Sequence, residues 1–230
     1  MCGRFYVPDE FSEIKIRLGI GDFGPAPNWE PSYNVAPTED ALALRSDKSG
    51  KRIVDKMYWT LIPSTWKAKP KFPTFNARAE TIDRMAVFKS AWTAGRRCVI
   101  PAGGFYEWKK GPGGRQPYAI ALKDSPTMLL AGLWEDWVSP DGEKKRTMTI
   151  ITTAPNDFMK PIHNRMPVII ASDDLPRWVG EQPASAADLK SLLRPFPSEP
   201  MRRWPVSDEV NNWRNDGPQL IQPVAEKDLG

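Results

Sequence analysis

Twenty-four prolines and sixteen glycines interrupt this 230-residue chain so often that no long helix has room to run. Short strands must carry the fold. Residues 10–18 (EFSEIKIRL) are an exception, with apolar side chains at helical spacing, and are expected to form an early helix. From Arg97 onward the pattern turns to strands at 97–101, 105–110, 117–122, 127–134 and 147–152, with the Gly-Pro-Gly-Gly run at 111–114 read as a hairpin loop. These are expected to form an antiparallel meander. Two short surface helices are expected at 173–180, with Leu175, Trp178 and Val179 on one face, and at 185–194, capped by Ser185. There is no internal repeat, low-complexity tract or linker-like shift in composition. A chain of this length buries a full core, so the expectation is one α+β domain over 1–230, its core at about 2–224, with a mainly antiparallel sheet curling toward a barrel.

No apolar stretch approaches the roughly 18 residues of a membrane span, and MCGRFYVPDE lacks the apolar run of a signal peptide. A cytoplasmic protein is expected, with Cys2 and Cys98 as free thiols. Net charge is +4 and the chain holds ten Trp. Basic charge attracts phosphate and indoles offer faces for bases, but Trp is also core material.

Four stretches can carry chemistry. The first is Cys2: removal of Met1 would leave a residue with both a free α-amine and a thiol. An α-amine titrates at about 7.7–8.0, so an appreciable fraction is unprotonated at neutral pH and can attack an aldehyde. The thiol can then close a five-membered ring on the imine carbon with an intramolecular advantage. The second is Asn76-Ala77-Arg78-Ala79-Glu80-Thr81, preceded by Trp66-Lys67-Ala68-Lys69-Pro70-Lys71-Phe72-Pro73, in which cations alternate with aromatics. That pattern suits a single nucleic-acid strand, and equally a solvated loop over a buried Trp.

In the third, Gly103-Gly104-Phe105-Tyr106-Glu107-Trp108, strand alternation sets Phe105 and Glu107 on one face and Tyr106 and Trp108 on the other. Glu107 is either a buried carboxyl with a raised pKa or an edge-strand acid facing water. The fourth, Pro161-Ile162-His163-Asn164-Arg165-Met166-Pro167, holds the sole histidine. One His and no CxxC spacing argue against a metal site. His163 is either structural or the one side chain whose ordinary pKa lets it exchange protons near neutrality.

Together with Met1-Cys2-Gly3-Arg4-Phe5, Tyr33-Asn34-Val35-Ala36-Pro37, Arg97-Cys98-Val99-Ile100-Pro101-Ala102 and Leu220-Ile221-Gln222-Pro223-Val224, these blocks closely resemble the SOS-response-associated peptidase (SRAP) family. The resemblance spans almost the whole chain. It implies a protein that shields abasic sites in single-stranded DNA through a reversible thiazolidine crosslink to Cys2. It further implies that Asn76 orients the reacting end, Glu107 assists imine and ring chemistry, and His163 serves the sugar oxygen. Arg4, Arg78 and Arg165 would hold phosphates, and Trp66 and Trp108 would pack against bases. Where the family often carries an arginine two residues before Phe88, this chain has Ala86, leaving Arg84 as the nearest upstream cation. No cofactor, metal or membrane partner is expected, and a monomer is. The rival reading is an N-terminal-nucleophile thiol peptidase built on Cys2, His163 and Glu107, acting first on its own Met1.

Overall fold

The computed structural model describes residues 2–21 and 27–229. In chain order the strands are β1 (Phe5–Val7), β2 (Ser32–Val35), β3 (Asp40–Ser46), β4 (Arg52–Trp59), β5 (Asn76–Arg78), β6 (Arg97–Ala102), β7 (Gly104–Gly111), β8 (Gly114–Leu122), β9 (Met128–Val138), β10 (Lys144–Thr153), β11 (Met166–Pro167) and β12 (Met201–Pro205). The helices are α1 (Phe11–Arg17), α2 (Ala86–Thr93), α3 (Leu175–Val179) and α4 (Ala186–Ser191). This is an α+β chain of mainly antiparallel, curled sheet with short helices at its flanks.

The predicted strands form, but not as one meander. They divide between a five-stranded sheet, in the order β12-β8-β7-β1-β2, and a seven-stranded sheet built on β11-β10-β4-β3-β6-β9. The chain crosses between sheets after β6 and again after β8, so β7–β8 and β9–β10 are hairpins of different layers. The larger sheet is also mixed, because β4 and β5 both run parallel to β10. Its β4–β10 ladder is only two residue pairs long, so the sheet curls without becoming a regular barrel.

Local chemistry explains the elements that sequence reading located. The β7–β8 register pairs Gly111 with Gly114 across a two-residue turn, and Gly114 takes φ +123°, a conformation side chains resist. Ser185 accepts from the Asp188 N–H while Asp188 accepts in return from the Ser185 N–H, a capping box that starts α4. Helix α2, unmarked by any capping side chain, buries Val87, Phe88 and Ala91. No helix among the described residues is long and apolar enough to cross a membrane.

The two sheets share one apolar core that includes Cys2, Phe5, Trp59 and Phe105. Much of the tryptophan serves this architecture. Trp59, Trp137 and Trp178 are buried, and their indole N–H groups donate to the carbonyls of Phe75, Trp66 and Cys98. A second, smaller cluster of Tyr6, Tyr106, Ala119, Val206 and Val210 lies on the other face of the five-stranded sheet, with Trp108 packed against it. Alternation along β7 therefore falls as expected, with Phe105 toward the main core and Tyr106 and Trp108 toward the smaller one.

Candidate functional site

Cys2 is fully buried just ahead of β1. Antiparallel pairing sets Phe5 opposite Phe105, and Tyr106 N–H donates to the Arg4 carbonyl at 2.9 Å, so the first residues are drawn along β7 toward Glu107. The close approach depends on Gly104: a Cβ there would stand 2.3 Å from the Ile120 carbonyl and 2.4 Å from the Tyr6 hydroxyl. From the other sheet, β5 pairs with β10 so that Asn76 lies opposite Ile150. Its Nδ2 donates 2.7 Å to the Cys2 carbonyl oxygen. One side chain thus ties the start of the chain, in one sheet, to the other sheet. Met1, whose removal the sequence reading calls for, lies outside the described residues.

Glu107 is 2% exposed, which decides between the two readings left open for it. Burial lifts its carboxyl to about 7, since low-dielectric surroundings disfavour the charged form. The Cys2 thiol is also pushed well up, first by burial and then by the neighbouring charge of Glu107. His163 Nδ1 lies 3.9 Å from Glu107 Oε1, and its ring is about a quarter exposed. Burial lowers the His163 pKa, and Nδ1 accepts the Arg165 N–H at 3.1 Å. Nδ1 also lies 3.3 Å from the Arg165 carbonyl oxygen, and the lowered pKa leaves the ring uncharged at neutral pH. This arrangement offers a carboxyl poised to exchange a proton near neutrality beside an uncharged imidazole.

The candidate cations and aromatics are placed differently from one another. Arg78 is exposed, its guanidinium without a hydrogen bond or ion pair among the described residues, beside a groove of about 220 Å³ lined by Phe72, Phe75, Asn76, Arg78, Met85 and Phe88. Arg84 is exposed and donates to the Glu80 carbonyl. Arg165 forms a two-pronged pair with Glu80 at 2.6 and 3.0 Å and also donates to the Thr152 carbonyl. Arg4 donates to Asn34 Oδ1 and the Val210 carbonyl. Trp66 packs edge-on to Phe72, and Trp108 is half-buried on the face of β7 away from Glu107, its Nε1 donating to Asn211.

Two partners went unassigned in sequence reading, although both stand inside motifs it quoted. Asn34 is 3% exposed and donates to the carbonyls of Asn212 and Asn215, pinning the C-terminal segment against Arg4. Glu80 neutralises Arg165. Among the described residues no group of three or more His, Cys, Asp or Glu could hold a metal ion.

The model of the SOS response associated peptidase (SRAP) family matches residues 1–213. The chain is 40% identical over 225 residues to the abasic site processing protein YoqW of Bacillus subtilis, covering 96% of this chain and 99% of that one. It is 33% identical over 227 residues to the abasic site processing protein HMCES of Gallus gallus, covering 85% of this chain and 67% of that one. A crystal structure of a protein from Bacteroides thetaiotaomicron superposes with a TM-score of 0.86 at 24% identity, covering 97% of this chain and all of that one, a likeness of fold.

Proposed function

The chain belongs to the SOS response associated peptidase family, and we propose that it captures abasic sites in single-stranded DNA as a reversible covalent adduct on Cys2. With Met1 removed, the α-amine of Cys2 adds to the aldehyde carbon of the ring-opened sugar, and the carbinolamine loses water to give an imine. The thiol then adds across the C=N bond, sulfur to carbon and proton to nitrogen, closing a thiazolidine. Water is the only leaving group, and no oxidant or reductant is consumed. The adduct shields the lesion until the same steps run backward.

The observation that carries this reading is the burial of Cys2 beside Asn76 and Glu107, with His163 one contact further on. Asn76 fixes the backbone of the reacting residue. Glu107, half ionised near pH 7, takes a proton from the amine and returns it when the ring opens. The uncharged His163 imidazole takes the anomeric hydroxyl proton and returns it to the ring oxygen as the closed sugar opens to its aldehyde. Arg78 offers an unengaged guanidinium to the flanking phosphate. Residues 1–230 act as one domain and as a monomer in this reading.

The rival thiol-peptidase chemistry needs a thiolate as its first nucleophile, and that is what burial and Glu107 suppress at Cys2. An amine-first route has no such requirement. The test is a denaturing gel after mixing the protein with a single strand carrying one abasic site. A heat-stable, heavier band is expected from wild type and absent from Cys2→Ala, whose binding to the same strand persists because phosphate contacts supply it. A heat-stable band from Cys2→Ala would overturn the ring chemistry.

A further inference from the structure

The basic, aromatic segment at 66–73 does more than border the Asn76 groove. Its Trp66 carbonyl accepts the Trp137 indole N–H at 2.7 Å, which pins the segment to the far end of the β9–β10 hairpin. There Lys69 and Lys145, from opposite sides of a sequence gap of more than seventy residues, converge on one ring: their ammonium groups lie 5.8 and 4.1 Å from the centre of Tyr58. The pair between Lys145 and Glu143 is loose at 4.0 Å, Asp141 in the same exposed turn feels the charge of Lys69, and Asp40 on β3 lies across from Tyr58. Lys67, Lys71 and Lys144 are exposed and have no ion-pair partner among the described residues. Each ammonium lies within cation–π range of the phenol ring and keeps N–H donors for an anion.

We propose that Lys69, Lys145 and Tyr58 form a second, remote phosphate clamp, which takes the backbone of the single strand several nucleotides away from the abasic site. The inference rests on the functional reading above. Continuity supports it: Phe72 stands both in the groove with Asn76 and Arg78 and edge-on to Trp66, so the groove leads into the 66–73 segment. The β10 ladder supplies the spacing. Asn76 lies opposite Ile150 and Tyr58 opposite Thr147, so Lys145 stands five residues along the strand from the level of Asn76, roughly 16 Å at 3.3 Å per residue. Because that offset is odd, Tyr58 and Lys145 leave the opposite face of the sheet from Asn76, which the bound DNA strand reaches over the 66–73 segment. The occupant is a flexible polyanion with bases free to lie on Trp66 and Phe72, which is what single-stranded DNA presents and duplex DNA does not.

The experiment compares wild type with the double variant Lys69→Ser/Lys145→Ser on two abasic single strands, one of about 5 nucleotides, near the lower end of the roughly 4–16-nucleotide footprint of a single-strand binding fold, and one of about 20, beyond its upper end. Crosslinking of the short strand is expected to be the same in both proteins. On the long strand the variant is expected to bind several-fold more weakly at low salt, its log K against log salt slope falling by about 0.7 for each phosphate it no longer neutralises. Matching melting temperatures verify that the variant folds. Equal affinity and equal salt slope on the long strand overturn the clamp while leaving the Cys2 chemistry standing. Failure of wild type to crosslink either strand overturns the functional reading and the clamp with it.

Discussion

The imidazole of His163 and the carboxyl of Glu107 stand 3.9 Å apart at their nearest nitrogen and oxygen, beyond hydrogen-bond range yet within reach of each other's charge. Burial moves both toward their neutral forms, raising the acid and lowering the base. A carboxyl near its midpoint beside an uncharged imidazole suits a reaction that must pass protons in both directions.

Replacing His163 by Ala is expected to slow adduct formation and release alike, by about 10²–10⁴-fold, because a catalyst lowers one barrier seen from either side. Paired time courses measure this, one following crosslink appearance and one following transfer to competing abasic DNA. Wild-type rates in both directions would return His163 to a purely structural role.

Glu107→Gln separates function from stability. A buried carboxyl whose pKa is raised to about 7 binds its proton more tightly folded than unfolded, so wild-type stability falls as pH climbs from about 4.5 through 7. Glutamine carries no such penalty. The variant is expected to be more stable than wild type at pH 8, by roughly 1–3 kcal/mol, with the advantage shrinking toward pH 5, while thiazolidine opening slows. Identical melts at pH 8 would show that the carboxyl carries no burial cost.

Asn76→Ala removes the donor to the Cys2 carbonyl. The expected loss is roughly 1–3 kcal/mol if the carbonyl is left without a partner. Since that bond locates the reacting residue, crosslinking is expected to slow at saturating DNA, where a change in binding alone would not register. Single-turnover rates at rising DNA concentration test this.

Arg78 and Arg165 are predicted to part company. Arg78→Glu is expected to weaken binding to any single strand and to lower the salt slope by about 0.7, with little change in melting temperature, because Arg78 is exposed and makes no ion pair among the described residues. Arg165→Ala removes the pair with Glu80 and one of the two donors to the Thr152 carbonyl, which keeps the Ala79 N–H, so its main effect is expected in thermal stability. Salt titrations beside melting curves on both variants decide it. Equal salt slopes for Arg78→Glu and wild type would remove Arg78 from the interface.

What could be read from the chain in advance was whatever short-range chemistry settles. The helix at Phe11–Arg17, the glycine turn before β8, the Ser185 cap and the β7 alternation that turns Phe105 toward the core and Tyr106 toward the smaller cluster depend on residues a few positions apart. The motif blocks holding Cys2, Asn76, Glu107 and His163 were visible for the same reason, since each is a contiguous run. Helix α2 escaped notice because nothing local caps it, and its apolar face is explained only by what it packs against.

Tertiary structure alone decided the rest. The strands of an expected meander separate into two sheets, because hairpin signals specify a turn and say nothing about which layer the hairpin joins. The same holds for charge. By sequence Arg4, Arg78 and Arg165 are equivalent cations, yet Arg4 is held by Asn34, thirty residues away, and Arg165 by Glu80, eighty-five away, while Arg78 keeps its guanidinium unengaged among the described residues. An ion pair forms with whatever the fold brings within about 4 Å, so which cations remain available to a ligand is fixed by long-range contacts that no local pattern encodes.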